Sequence, residues 1–170
     1  KCCSTFDSSL VTGSLGHAIE LMRQVWPTCF VPVHAAAPEF GRYTVFGHHF
    51  ARAGQQIYRL DQHPVMSVHP VTPMHESKLS AVLREQGFSV EREADLRELD
   101  NSALDTSSLA DKLNTHDSVV FDGYTQQHVV TTAAVLHHIS QRRQVCAMAA
   151  QGLAHGWGQY WRDNALIADE

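Results

Sequence analysis

The sequence predicts an α/β domain: a layered, Rossmann-like arrangement with a mainly parallel sheet and an added β-hairpin. Three observations carry this. Short runs rich in β-branched, aromatic or other apolar residues, "TCFVPVHAAA" (28–37), "DSVVFDG" (117–123) and "QVCAMAA" (144–150), read as buried strands. Segments of helical period alternate with them, the pattern of helices crossing over a parallel sheet. Residues 43–60, "YTVFGHHFARAGQQIYRL", read as two strands around an Ala53-Gly54 turn and supply the hairpin.

The remaining elements follow in order. Gly16 to Trp26 sets Ala18, Met22, Val25 and Trp26 on one helical stripe, with Ile19 beside it. Glu76 to Gln86 is a second helix with Leu79, Val82 and Leu83 inward. Glu76 lies near its positive end and Gly87 follows as a C-cap. A brief strand is expected at Phe88 to Val90, and the polar stretch 91–107 carries no clear pattern. Thr125 to Gln141 and Leu153 to Arg162 are the last helices, and no internal repeat or linker interrupts the chain.

At 170 residues, 44% apolar and 18% charged, the chain has the size and composition of one globular domain. A net charge of −5 argues against nucleic acid and anionic membrane surfaces as partners. No apolar run approaches the roughly 20 residues of a membrane span, and no signal peptide is expected, because the first twenty residues mix Asp, Ser and Gly without an apolar centre. Cys2 and Cys3 are neighbours while Cys29 and Cys146 stand alone, so no disulfide framework is expected and a reducing cytoplasm is. The chain opens on Lys1 without an initiator methionine, so a processed product or a fragment of a longer protein stays open.

Four places hold residues suited to chemistry. "KCCSTFDSS" gathers Lys1, Ser4, Thr5, Asp7, Ser8 and Ser9, followed by Gly13 and Gly16. A cation, hydroxyls and a carboxylate before a helix start suit a polyhydroxylated anion, and equally suit an N-cap with a solvated loop. Arg42 follows Gly41; its planar fork matches a carboxylate, although a lone arginine also serves as a surface residue. Asp122 closes a strand of an open α/β sheet, where ligands collect, and equally fits an Asx turn before the next helix. "MSVHPVTPMHES" (66–77) flanks His69 and Thr72 with prolines and reads as a metal site, a plain turn or a loop held for a substrate. Among twelve histidines no pair has ligand spacing, so no metal is expected.

These segments, in this order, resemble the four-carbon acid sugar kinase family, formerly a domain of unknown function, and its 3-oxo-tetronate kinase branch most of all. The resemblance is carried by "STFDSS" with Gly13 and Gly16, by "PEFGR" and "GHHF", and by "HPVTPMHESKLSAVLREQG", then by "VVFDG" and "QGL". It implies that residues 1–170 are part of the N-terminal, substrate-binding domain of an ATP-dependent enzyme that phosphorylates a four-carbon sugar acid of the 3-oxo-tetronate, threonate or erythronate type. Lys1, Ser4, Thr5, Asp7, Arg42, His69, Thr72 and Asp122 would then bind the substrate, and "HPVTPM" would be a pre-shaped loop beside the pocket. ATP and Mg²⁺ are expected for the complete enzyme, held by a C-terminal nucleotide-binding domain, and none for this chain alone. The catalytic base stays unassigned.

The sequence departs from the family pattern in places. The leading Asp-Asp-x-Thr-Gly strand and the glycine-rich phosphate loop are not among these residues, "HAAAPEF" stands for the usual Pro-Ala-Phe-Pro, and Ala149-Ala150 stands for Gly-Ser. The "STFDSSLVTGSLG" loop is one residue longer. The alternative from another class is a stand-alone or diverged α/β binding module without kinase activity.

Overall fold

The computed structural model describes residues 2–102 and 105–167. It contains a four-stranded parallel sheet and a separate three-stranded antiparallel one. The parallel sheet is built from β1 (Val31–His34), β5 (Arg92–Ala94), β6 (Ser118–Phe121) and β7 (Met148–Ala149), in the order β5-β6-β1-β7. The antiparallel sheet is β2 (Arg42–Val45), β3 (His48–Ala53) and β4 (Gln56–Arg59). Helices α1 (Leu15–Val25), α2 (Leu79–Glu85), α3 (Leu96–Asn101), α4 (Thr106–Leu113), α5 (Gln126–Ser140) and α6 (Gln151–Asp163) complete the chain.

Strands β1 and β6 are buried along their whole length, as central strands of a parallel sheet covered on both faces must be. Alternate residues serve two cores. Val31, Val33 and Val120 pack with Ile19 of α1 and Leu79, Val82 and Leu83 of α2. Phe30, Val119 and Phe121 pack on the other face with Leu99, Leu109, Leu113, Leu136 and Ile139 from α3, α4 and α5. The α/β reading with a mainly parallel sheet therefore holds.

Several element boundaries differ from the sequence reading. The hairpin has a third strand, because the chain turns at Phe46 and Gly47, both at positive φ (50° and 77°), as well as at Gly54. The edge strand is not Phe88–Val90 but Arg92–Ala94. Phe88 is consumed by the end of α2, where its N–H reaches the Leu83 carbonyl at 2.9 Å and Gly87 reaches Arg84 at 3.1 Å, a Schellman closure. Helix α2 begins at Leu79, with the Glu76 carboxylate ahead of it accepting the amides of Ser77 and Lys78, both at 2.7 Å. Val25 and Trp26 of the α1 stripe are 65% and 47% exposed, and the helix packs instead through Gly16 and Ile19, with Ala18 and Met22 beside them. Strand β7 is only two residues long, and α6 begins at Gln151.

The contact between α1 and the end of α2 is close enough to exclude any side chain at residue 16. A Cβ on Gly16 would stand 2.5 Å from the Gln86 carbonyl oxygen, a backbone atom that cannot swing away. Gly16→Ala is expected to lower stability by about 1–3 kcal/mol, the usual cost of overpacking. Urea unfolding measures this, and an unchanged midpoint would contradict the packing described.

Candidate functional site

Arg42 opens β2 directly after a left-handed Gly41 (φ 67°) that ends a short 3₁₀ turn, Pro38–Phe40. Its Nη1 donates to the carbonyls of Phe40 (2.9 Å) and Gly41 (3.2 Å), while its buried Nε has no partner. Among the described residues no carboxylate pairs with it, whereas Arg59, Arg92, Arg97, Arg142 and Arg143 each have an acidic partner. Burial lowers its pKa, the nearby Cys3 acts in the opposite direction and Arg52 reinforces the lowering. A half-buried guanidinium without a counter-charge is a standing attraction for an anion.

The N-terminal loop is fastened next to this strand by a neutral histidine. Fully buried His49 of β3 faces the carbonyl of Ser4 with its Nε2 at 2.7 Å. A carbonyl only accepts, so Nε2 carries the proton and Nδ1 accepts from the Thr44 hydroxyl at 3.0 Å. Burial pushes the imidazole pKa down to about 4, which keeps this tautomer in place at neutral pH. Beyond the latch, the Thr5 hydroxyl donates to Asp7 Oδ1 at 2.5 Å and lies 3.0 Å from Cys3 Sγ. The latch thus holds Ser4 against His49 of β3, the strand that pairs with β2, and Cys3 lies close enough to Arg42 to act on its charge; Thr5 and Asp7 are joined to each other. Lys1 lies outside the described residues.

The start of α1 is not open to an anion. Its first two amides, of Leu15 and Gly16, are taken by Gln86 Oε1 at 2.7 and 3.1 Å, and the His17 amide by the Ser14 hydroxyl at 3.1 Å. Gln86 Nε2 in turn donates to Ser8 Oγ at 2.8 Å. The 66–77 loop closes on itself: Met74 N–H reaches the Met66 carbonyl at 2.8 Å, and His69 Nδ1 accepts the Thr72 amide at 3.0 Å with the Thr72 hydroxyl also 3.0 Å away. His69 and Thr72 are therefore occupied with each other. The later part of the loop, from Pro73 to Glu76, faces Ser8, Ser9 and Leu10 across a cavity of about 410 Å³. Glu76 and Glu85 line that cavity and no lysine or arginine does, so it suits hydroxyls better than a carboxylate.

Asp122 stands apart from this group, at the carboxyl end of β6. Its Oδ2 accepts the Phe46 amide at 2.6 Å and its Oδ1 the Gly47 amide at 2.9 Å. It therefore caps the β2–β3 turn rather than α5, whose own cap is Thr125 with His128. Desolvation raises its pKa to about 6, against the pull of those amides. His34, at the carboxyl end of β1, is wholly buried with neither ring nitrogen partnered, and burial holds it down at about 4.

Sequence reasoning passed over His49 and Gln86. The alternation of β3 carried a signal for His49, since it shares the inward side with buried Ala51. Gln86 at a helix end carried none. Among the described residues no three histidines, cysteines or acids are arranged to hold a metal ion, and no helix is long and apolar enough to cross a membrane.

The chain belongs to the family described as the sugar-binding N-terminal domain, whose model matches residues 1–157. It is 33% identical over 168 residues to a 3-oxo-isoapionate kinase of Paraburkholderia graminis, covering 98% of this chain and 35% of that protein. It is 29% identical over 167 residues to a 3-oxo-tetronate kinase of Pectobacterium atrosepticum, covering 96% of this chain and 37% of that protein. The chain thus spans about a third of the length of these relatives. Among solved structures, a Haemophilus influenzae protein superposes with a TM-score of 0.74 at 21% identity, over 97% of this chain and 37% of its own. A domain of unknown function from Bordetella bronchiseptica, with bound citrate, gives 0.72 at 19% identity, over 99% and 38%. These two show the fold.

The Asp122 clamp has a pH signature. An acid whose folded pKa (about 6) lies above the ordinary aspartate range, about 4, holds its proton more tightly when folded. Its contribution to stability is therefore fullest below about pH 4 and declines as pH rises through 6. The stability difference between wild type and Asp122→Asn is expected to shift in favour of the variant between pH 4 and pH 7. Urea midpoints at both pH values test this, and a shift towards wild type would contradict it.

Proposed function

We propose that this chain is the substrate-binding part of an ATP-dependent kinase acting on a four-carbon sugar acid. The observation that carries the reading is Arg42, a half-buried guanidinium without a carboxylate partner among the described residues, in a chain whose family is described as sugar-binding and whose curated relatives are kinases of 3-oxo acids. The acid's carboxylate would take the place of the carbonyls that now occupy Arg42, and its hydroxyls would meet Thr5 and Asp7. Ser4 serves through its backbone, held by His49. His69 and Thr72 shape the neighbouring loop, and Asp122 holds the β2–β3 turn at the far end of the strand that Arg42 opens.

Phosphoryl transfer relies on positioning and on neutralising charge at the transferred group. Mg²⁺ and ATP would be held by the remainder of the full-length protein. What this chain contributes is the grip on the acceptor.

Charge-assisted hydrogen bonds are worth roughly 1.5–3 kcal/mol each. Arg42→Ala in the full-length protein is therefore expected to weaken sugar-acid binding by about one to two orders of magnitude. Arg42→Lys should recover only part, because an ammonium lacks the fork. ATP affinity should hardly change. Calorimetric titration of a tetronate panel and of ATP against both variants measures this, and an unchanged sugar-acid Kd in Arg42→Ala would remove Arg42 from the site.

A further inference from the structure

We propose that Gln86 is a positioning residue for the sugar-acid site, acting on Thr5 and Asp7 through Ser8 and the backbone of Phe6. The proposal rests on the functional reading of the site.

Gln86 is 5% exposed and uses both halves of its carboxamide. Oε1 caps α1 through the Leu15 and Gly16 amides, and Nε2 donates to Ser8 Oγ at 2.8 Å. That donation occupies an acceptor position of Ser8 and directs its own proton to the Phe6 carbonyl, 3.0 Å away. Phe6 sits at φ 54°, a left-handed conformation that L side chains disfavour. Its ring is completely buried, so the backbone cannot relax without withdrawing the ring from the core. Strain of this kind persists only where surrounding contacts enforce it, and it gathers at functional segments.

The consequence falls on the neighbours of Phe6. With the ring inward, Thr5 and Asp7 on either side are only partly covered and are joined by their 2.5 Å hydrogen bond. Gln86 is 78 residues from Ser8 in sequence, and stands at the end of the helix that follows the 66–77 loop. It therefore ties that loop and helix to the segment that would meet the substrate hydroxyls. It also lines the cavity between them.

The choice of glutamine is chemically specific. A glutamate at 86 could still accept the two α1 amides, and its charge would suit the positive helix end. Its second oxygen could not donate to Ser8. The Ser8 proton would turn towards that oxygen and away from Phe6. Gln86→Glu thus keeps the cap and breaks the relay, and Ser8→Ala breaks the relay without touching the cap.

The test is steady-state kinetics and thermal melting of the full-length protein and both variants, with a tetronate panel and ATP as substrates. Gln86→Glu and Ser8→Ala are expected to melt close to wild type while KM for the sugar acid rises about tenfold or more and KM for ATP stays put. Folded variants with a wild-type sugar-acid KM would overturn the proposal, because a purely structural Gln86 moves Tm and leaves KM alone. If Gln86→Glu does not fold, Ser8→Ala decides by the same criterion. A wild-type protein inert towards every acid overturns the functional reading itself and the role of Gln86 with it; an active wild type with unaffected variants overturns only the latter.

Discussion

The buried carboxylate of Asp122 must find hydrogen bonds where water cannot reach it, and the partners it finds join the two sheets. Both oxygens are engaged by amides of the β2–β3 turn, and the neighbouring residues Thr44 and Gly123 exchange a pair of backbone hydrogen bonds of 2.9 Å each. An unpaired carboxylate here would cost several kilocalories, so the turn cannot leave without a large penalty. That clamp works together with backbone pairs at Ala37–Arg42, His49–Ser77 and Gly47–Leu79 to fix the antiparallel sheet against the rest of the fold. The strained turn itself, with Phe46 in the left-handed region, is held in shape by the same two bonds.

The second layer of organisation is built from neutral donors and acceptors. His49 holds Ser4, and Gln86 holds Ser8, so the N-terminal loop is pinned on both sides of Thr5 and Asp7. Neither latch adds charge near Arg42. The Arg42 guanidinium, with Arg52 nearby, is therefore left without a carboxylate partner among the described residues.

Much of the fold was legible because buried parallel strands must be apolar on both faces: Val31–His34 and Ser118–Phe121 announce themselves. The elements that were misread lie where that constraint lapses. Strand β5 is an edge strand of sequence Arg-Glu-Ala, with no β-branched residue to mark it. The Phe46-Gly47 turn lacks the usual asparagine or aspartate, because Asp122, 75 residues away, supplies the stabilising oxygen. Val25 and Trp26 fit the helical period, yet α1 ends beside them and leaves them outside the core. For the site, residue type pointed to Arg42 and the hydroxyl loop. The roles of Gln86 and His49 depend on contacts across 78 and 45 residues, which no local pattern encodes.

The central claim is that Arg42 and the loop after Cys2 hold the anionic end of a sugar acid. The most direct measurement is a crystal structure of the full-length protein with a bound tetronate. The account predicts the carboxylate at about 2.7–2.9 Å from the Arg42 guanidinium, with hydroxyls towards Thr5 and Asp7. An acid bound elsewhere, for instance between Ser8 and Glu76, with Arg42 still donating to the Phe40 and Gly41 carbonyls, would contradict it.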